Sequence, residues 1–294
     1  MKADAVHVWK EKVPPEYHCR CEYCSVAIGE LRQPSGEYYS RLERRKYYAS
    51  EEEEGEGGHI AKTPLHISRW AVQQFTQPGD WVLDPTIGAG TTAVEALTQG
   101  RCAAGMELEY GSILNANIQK ALDGTKGLEA AVRTGDARNI GDFLTKLDKQ
   151  FALIVNNPPY FGDQSMPSPA KEGRGKEYYH LETKFFYDKE LPNLAFLREN
   201  EEYWDTIRPI YGDCIRWLKP GGYFVTGIKD TMANKEPVLL HKMFCDVLRG
   251  LGLEFVGTAF LRHYPPTLHL SSYGKRYGVE PPKYQTISVF RKGA

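Results

Sequence analysis

No apolar run in this chain is long enough to span a bilayer, and Met1-Lys2-Ala3-Asp4 does not open a secretory signal. Both absences point to the cytoplasm. Surplus positive charge is missing too: 37 Lys and Arg stand against 38 Asp and Glu, a formal net charge of −1. Nucleic-acid binders usually carry a basic excess, so any such contact has to rest on local patches. Cysteine is sparse, six in 294 residues, which in a cytosolic chain favours thiols or a metal site over disulfides. No internal repeat is evident. Hydrophobic residues make up 41% and charged residues 26%, which leaves room for an ordinary core. The length suits one large α/β domain plus an appendage.

The stretch Asn157-Pro158-Pro159-Tyr160 organises the rest. It follows Phe151-Ala152-Leu153-Ile154-Val155, an apolar run that reads as a buried strand. The prolines end that strand and hold Asn157 extended at its carboxyl end. In open α/β sheets ligands bind at that end. An amide oxygen, a proline carbonyl and an aromatic ring suit a planar amine, whose hydrogens need acceptors and whose face can be stacked. A Pro-Pro turn that merely ends a strand is the plain alternative.

Upstream lies a second such site. Trp81-Val82-Leu83 reads as a strand, and Asp84-Pro85-Thr86-Ile87-Gly88-Ala89-Gly90-Thr91-Thr92 turns from it into a helix. Gly88 and Gly90 let the backbone approach a ligand closely at a helix start. The turn has neither the G-x-G-x-x-G dinucleotide pattern nor the Gly-Lys-Ser/Thr of a phosphate loop. An acidic residue directly after the strand disfavours phosphate and favours the ammonium and sulfonium of S-adenosylmethionine. Residues 101–106 form a second strand ending at Glu107, at the offset where a carboxylate takes ribose hydroxyls, with Glu109 as a solvated neighbour. Asp136 follows a third strand at 131–134 and is placed to accept from an adenine amino group; a turn or N-cap aspartate is the alternative. Thr63-Pro64 reads as N-cap and first residue of a helix whose face includes Leu65, Ile67 and Trp70.

Residues 1–58 read as an N-terminal appendage. Cys19, Cys21 and Cys24 supply half of a zinc pattern, for which His7 or His59 is a conceivable fourth ligand, but reduced structural thiols are favoured and no metal ligand set is assigned. Residues 41–48 are basic and rich in tyrosine; they suit either a phosphate backbone or a solvated helix face. Residues 51–58, acidic and Gly-rich, read as a mobile linker that puts a domain boundary near 58.

Together these residues resemble the amino-methylating DNA methyltransferases, which act on adenine N6 or cytosine N4. Thr63-Pro64-Leu65-His66 looks like the family's motif ten, residues 84–92 like motif one with Thr86 in place of Phe, and Asn157-Pro158-Pro159-Tyr160 matches motif four. The resemblance covers most of residues 60–292. It implies a Rossmann-like, seven-stranded class I methyltransferase sheet over 59–294, its last strand antiparallel. It also implies S-adenosylmethionine as cofactor, held by Asp84, Gly88, Gly90, Glu107 and Asp136; Thr63, Pro85 and Thr91 of the same motifs complete the candidate set. The catalytic candidates are Asn157, Pro158, Pro159 and Tyr160. Motif four alone is shared with RNA guanine and protein glutamine methyltransferases.

The implied partner is double-stranded DNA, with a flipped-out base as the target; a companion restriction nuclease stays open. Asn at the first position of motif four favours adenine N6, since the family uses Ser there mostly for cytosine. The insertion at 161–204 and the loop at 262–284 mix basic and aromatic residues and are the candidate DNA contacts, because no long segment follows the last strand. The alternatives are cytosine N4 methylation, an RNA or protein amide methyltransferase, and a binding module without catalysis.

Overall fold

The computed structural model describes residues 19–31, 63–159, 194, 197, 200–233, 236–262, 277, 278, 282 and 284–294. In chain order the described elements are β1 (Ala27–Leu31), α1 (Leu65–Phe75), β2 (Trp81–Asp84), α2 (Thr91–Thr98), β3 (Cys102–Glu107), α3 (Gly111–Asp123), β4 (Ala130–Thr134), α4 (Ile140–Leu147) and β5 (Phe151–Asn156). Then come α5 (Asn200–Trp217), β6 (Leu218–Lys229), β7 (Thr231–Ala233), β8 (Glu236–Val238), α6 (Leu240–Gly250), β9 (Glu254–Arg262) and β10 (Tyr284–Arg291). No described helix is long and apolar enough to cross a membrane.

Eight strands form one sheet in the order β1-β9-β10-β6-β5-β2-β3-β4. Only β10 is antiparallel to its neighbours, β6 and β9. Without β1 this is the expected seven-stranded Rossmann-like sheet with its last strand antiparallel. The central strands β3 and β5 are buried at every position, as expected of parallel strands covered on both faces. One face packs on α1, α2 and α3 through Ile67, Trp70, Val94, Leu97, Leu114 and Ile118. The other packs on α4, α5 and α6 through Ile140, Leu144, Ile207, Tyr211, Phe244 and Leu248.

The sheet thus has one strand more than the seven expected. The extra strand comes from the N-terminal segment: β1 runs parallel to β9, with Leu31 opposite Leu261. Its sequence, Ala-Ile-Gly-Glu-Leu, is short and carries a glycine and a glutamate, as edge strands often do. Residues 27–31 are therefore a strand of the main sheet, whereas the boundary expected near 58 and the linker before it lie outside the described residues.

Candidate active site

The chain runs from β2 outward to β3 and β4 and then crosses back to β5, so the order reverses between β2 and β5. The crevice beyond their carboxyl ends is where an open α/β sheet binds its ligand. Asp84 closes β2 there and Asn156 closes β5. A buried chain of hydrogen bonds joins them. Thr92 Oγ1 donates to Asp84 Oδ2 at 2.7 Å, and Ser68 Oγ of α1 lies 3.2 Å from Thr92 Oγ1. Asn156 Nδ2 donates to Asp84 Oδ1 at 3.0 Å and to Thr86 Oγ1 at 2.8 Å. Its Oδ1 accepts from Tyr211 of α5 at 2.7 Å. One network therefore fastens the Asp84 turn and the end of β5 to α1 on one face of the sheet and to α5 on the other.

Asp84 is enclosed, not presented: it is 3% exposed, and the Thr86 N–H is a further donor to it at 3.2 Å. Burial pushes its carboxyl up from 3.8 to about 6; Glu107 adds to this, and the hydrogen bonds oppose it without offsetting it. The folded protein then holds this proton more tightly than the unfolded chain does. The favourable contribution is full below about pH 4 and is lost as pH rises through about 6. We expect chemical denaturation to show the wild type losing about 2–3 kcal/mol relative to Asp84→Asn across that window. A difference that stays flat with pH would mean that the carboxylate is ionised throughout.

Glu107 ends β3 beside the loop and is also buried. Its Oε2 accepts from the Gly88 N–H at 2.9 Å, and its Oε1 from the N–H groups of Glu109 and Tyr110 at 3.0 and 3.1 Å. Gly88 and Gly90 have φ of 57° and 91°, a conformation that costs glycine little, and Gly90 sets the start of α2. The loop lies hard against β3: a Cβ on Gly105 would stand 2.5 Å from the Asp84 carbonyl oxygen and 2.7 Å from Ile87 Cδ1. Asn117 of α3 braces it from the other side, donating to the Ala89 carbonyl at 2.7 Å. Pro85 and Thr91 are buried within it.

Asn156 and Asn157 point to opposite faces, as successive strand residues do. Asn156 is buried toward α5; Asn157 is half-buried on the α1 side. Asn157 Oδ1 accepts from Gln285 Nε2 of β10 at 2.9 Å. Gly227 of β6 leaves room for this pair, since a Cβ there would lie 2.7 Å from Asn157 Oδ1. The Pro159 carbonyl accepts from Tyr203 of α5 at 2.7 Å. Asn157 is thus oriented through its oxygen.

One further local expectation changes. The helix starts one residue late: Pro64, at φ −56° and ψ 118°, is the N-cap position and Thr63 precedes it, because the extended ψ keeps Pro64 out of the helix. Asp136 follows β4 and caps the next turn, accepting from the Arg138 N–H at 2.9 Å and from Arg138 Nε at 3.0 Å. Tyr160, the region 41–58 and most of the two candidate DNA-contact segments lie outside the described residues. The residues that the sequence did not single out are Asn156, Tyr203, Tyr211 and Gln285. Only Asn156 carried a signal, as a polar residue closing an apolar strand.

A family model described as a DNA methylase matches residues 6–117. The Type II methyltransferase M.BglI of Bacillus subtilis is 43% identical over 63 residues, 21% of this chain and 18% of that protein. This chain resembles the amino-methylating DNA methyltransferases. The release factor glutamine methyltransferase of Mycobacterium tuberculosis is 26% identical over 185 residues, 62% of this chain and 55% of that protein. The chain thus spans 18% and 55% of the lengths of these two relatives. Among solved structures, TrmN from Thermus thermophilus aligns with a TM-score of 0.45 at 16% identity, over 79% of this chain and 50% of that one.

The methylase resemblance implies S-adenosylmethionine as cofactor, and the residues present fit it. Glu107 ends β3 beside a glycine turn that opens a helix and carries no lysine, and the enclosed Asp84 adds a carboxylate beneath that turn. That donor set suits a cation with ribose hydroxyls and disfavours a phosphate.

Proposed function

We propose that this chain transfers a methyl group from S-adenosylmethionine to an exocyclic amine of a DNA base, adenine N6 in preference to cytosine N4. The observation that best supports this reading is the fixing of Asn157 at the switch point: Gln285 occupies one side of its oxygen and Gly227 gives it space. An amide oxygen has two acceptor sites, so one remains for a hydrogen of the target amine. The Pro158 carbonyl would take the other hydrogen. With both hydrogens held, the nitrogen lone pair is localised away from the ring and becomes a better nucleophile. Tyr160 would stack on the flipped base.

When bound, the cofactor supplies an electrophilic sulfonium methyl. Glu107 would take its ribose hydroxyls, a carboxylate having acceptor capacity beyond its backbone partners. Gly88, Gly90 and Thr91 would line the helix start, and Thr63, Pro85 and Asp136 the rest of its bed. Asp84 acts through the loop that it holds and through its charge. Catalysis in this scheme is positioning and electrostatics, with no covalent intermediate on the protein.

A protein glutamine amide is the second reading, favoured by the longer match to the release factor enzyme and by motif four, which serves a carboxamide NH2 equally well. The full chain incubated with S-adenosylmethionine and duplex DNA separates the two. We expect N6-methyladenine by mass spectrometry of the nucleosides. N4-methylcytosine alone would overturn the choice of base. Unmethylated DNA alongside methylated protein or RNA would overturn the substrate class.

A further inference from the structure

Cys19, Cys21 and Cys24 converge on a residue far along the chain. Their sulfurs lie 3.8, 3.3 and 3.2 Å from His241 Nε2, and the four ligand atoms all lie within 4.8 Å of one another. Cys19, Cys24 and His241 are buried and Cys21 is partly so. We propose that these four side chains form a tetrahedral zinc site that staples the N-terminal segment to the methyltransferase sheet.

The spacing is that of a mononuclear metal centre. Zinc bonds of ~2.3 Å to sulfur and ~2.0–2.1 Å to nitrogen, at tetrahedral angles, separate sulfur from nitrogen by about 3.5–3.6 Å and sulfur from sulfur by about 3.8 Å. The observed sulfur–nitrogen distances of 3.2 to 3.8 Å bracket that value. Three thiolates and an imidazole make a soft, four-coordinate set that selects zinc over magnesium or calcium. They fill all four positions, so the centre is structural and offers no site for substrate or water.

The surroundings complete a metal-binding histidine. His241 Nδ1 sits 2.8 and 2.7 Å from the two oxygens of Asp230, which is 1% exposed. The His241 backbone N–H also donates to that carboxylate, at 3.1 Å. A carboxylate on Nδ1 puts the ring proton there and leaves the Nε2 lone pair facing the sulfurs, the arrangement that holds a ligating histidine in place. The Cys21 N–H lies 3.3 Å from Cys19 Sγ, a donor suited to a thiolate.

Both halves of the centre are rigidly seated. The Cys-x2-Cys turn is closed by Ser25 N–H to the Cys21 carbonyl at 3.0 Å. Tyr23, inside it, packs edge-on against Phe255 and donates to Asp246 of α6 at 2.6 Å. Asp230 directly follows β6, the strand whose Gly227 accommodates Asn157. The staple thus ties the N-terminal segment to the carboxyl end of β6, the strand beside β5.

The test is metal analysis of the full chain purified under reducing conditions without chelator. We expect about one zinc per chain, with X-ray absorption giving three sulfurs at ~2.3 Å and one nitrogen at ~2.0–2.1 Å. Cobalt exchanged into the site should show thiolate-to-metal charge transfer and tetrahedral d–d bands. Asp230→Asn, which keeps shape and removes charge, should weaken zinc affinity about 10–100-fold in competition with a chromophoric chelator. Less than about a tenth of an equivalent after zinc reconstitution, or a coordination shell lacking nitrogen, would overturn the assignment. So would an unchanged affinity in a folded Asp230→Asn protein.

Discussion

Asn157→Ala will lower the methyl-transfer rate by at least about 10²–10³-fold, the scale for losing one preorganised hydrogen-bonding group. Cofactor affinity should stay within a few-fold of wild type. The reason lies in where the contact acts in the proposed reaction: the oxygen held by Gln285 would meet the amine as its lone pair becomes the nucleophile, so its loss would be felt in the transition state. Single-turnover rates with calorimetric titration of S-adenosylmethionine separate the two quantities. An unchanged rate would remove Asn157 from the chemistry, and an equal loss of cofactor affinity would place it in the cofactor bed instead. Gln285→Leu should give a smaller fall in rate, because it leaves the acceptor and removes only its orientation.

Asn156→Leu should destabilise the fold by about 3–5 kcal/mol, as breaking a buried charged network does. The substitution keeps roughly the same volume but strips a donor from Asp84 Oδ1, a partner from Thr86 and the acceptor of Tyr211. The carboxylate left behind is enclosed and cannot turn to water. Its proton should then be held more tightly still, so the loss should be smaller near pH 4 than at neutrality. Urea titrations at both pH values measure this. A loss below about 1 kcal/mol would mean that the network is peripheral to stability.

The contrast between these two asparagines shows what was legible in the sequence. Strand ends could be read because β-branched and apolar runs stop at Pro, Gly or Asp, as at residues 81–84 and 151–159. Those ends placed Asp84, Glu107 and Asn157 correctly at the carboxyl edge of the sheet. Which side chains they meet could not be read. Asn157 and Gln285 are 128 residues apart, and no local pattern couples them. The same holds for His241: the cysteine spacing announced half of a metal site, and the nearby candidates His7 and His59 gave no hint of a ligand at the start of α6. β1 escaped notice because five residues with an internal glycine carry too little alternation to register as a strand.

The pairing of β1 with β9 and the meeting of Cys24 with His241 across 217 residues also set an order of events during synthesis. At about 5–20 residues per second, roughly 10–40 s separate the emergence of the cysteine turn from that of its histidine. For that interval three thiols and a strand edge wait without their native partners. Contacts of such long range also slow the final closure of the sheet. A newborn chain is therefore most open to thiol oxidation and mispairing at its N-terminal turn, and the completion of α6 and β9 ends that exposure.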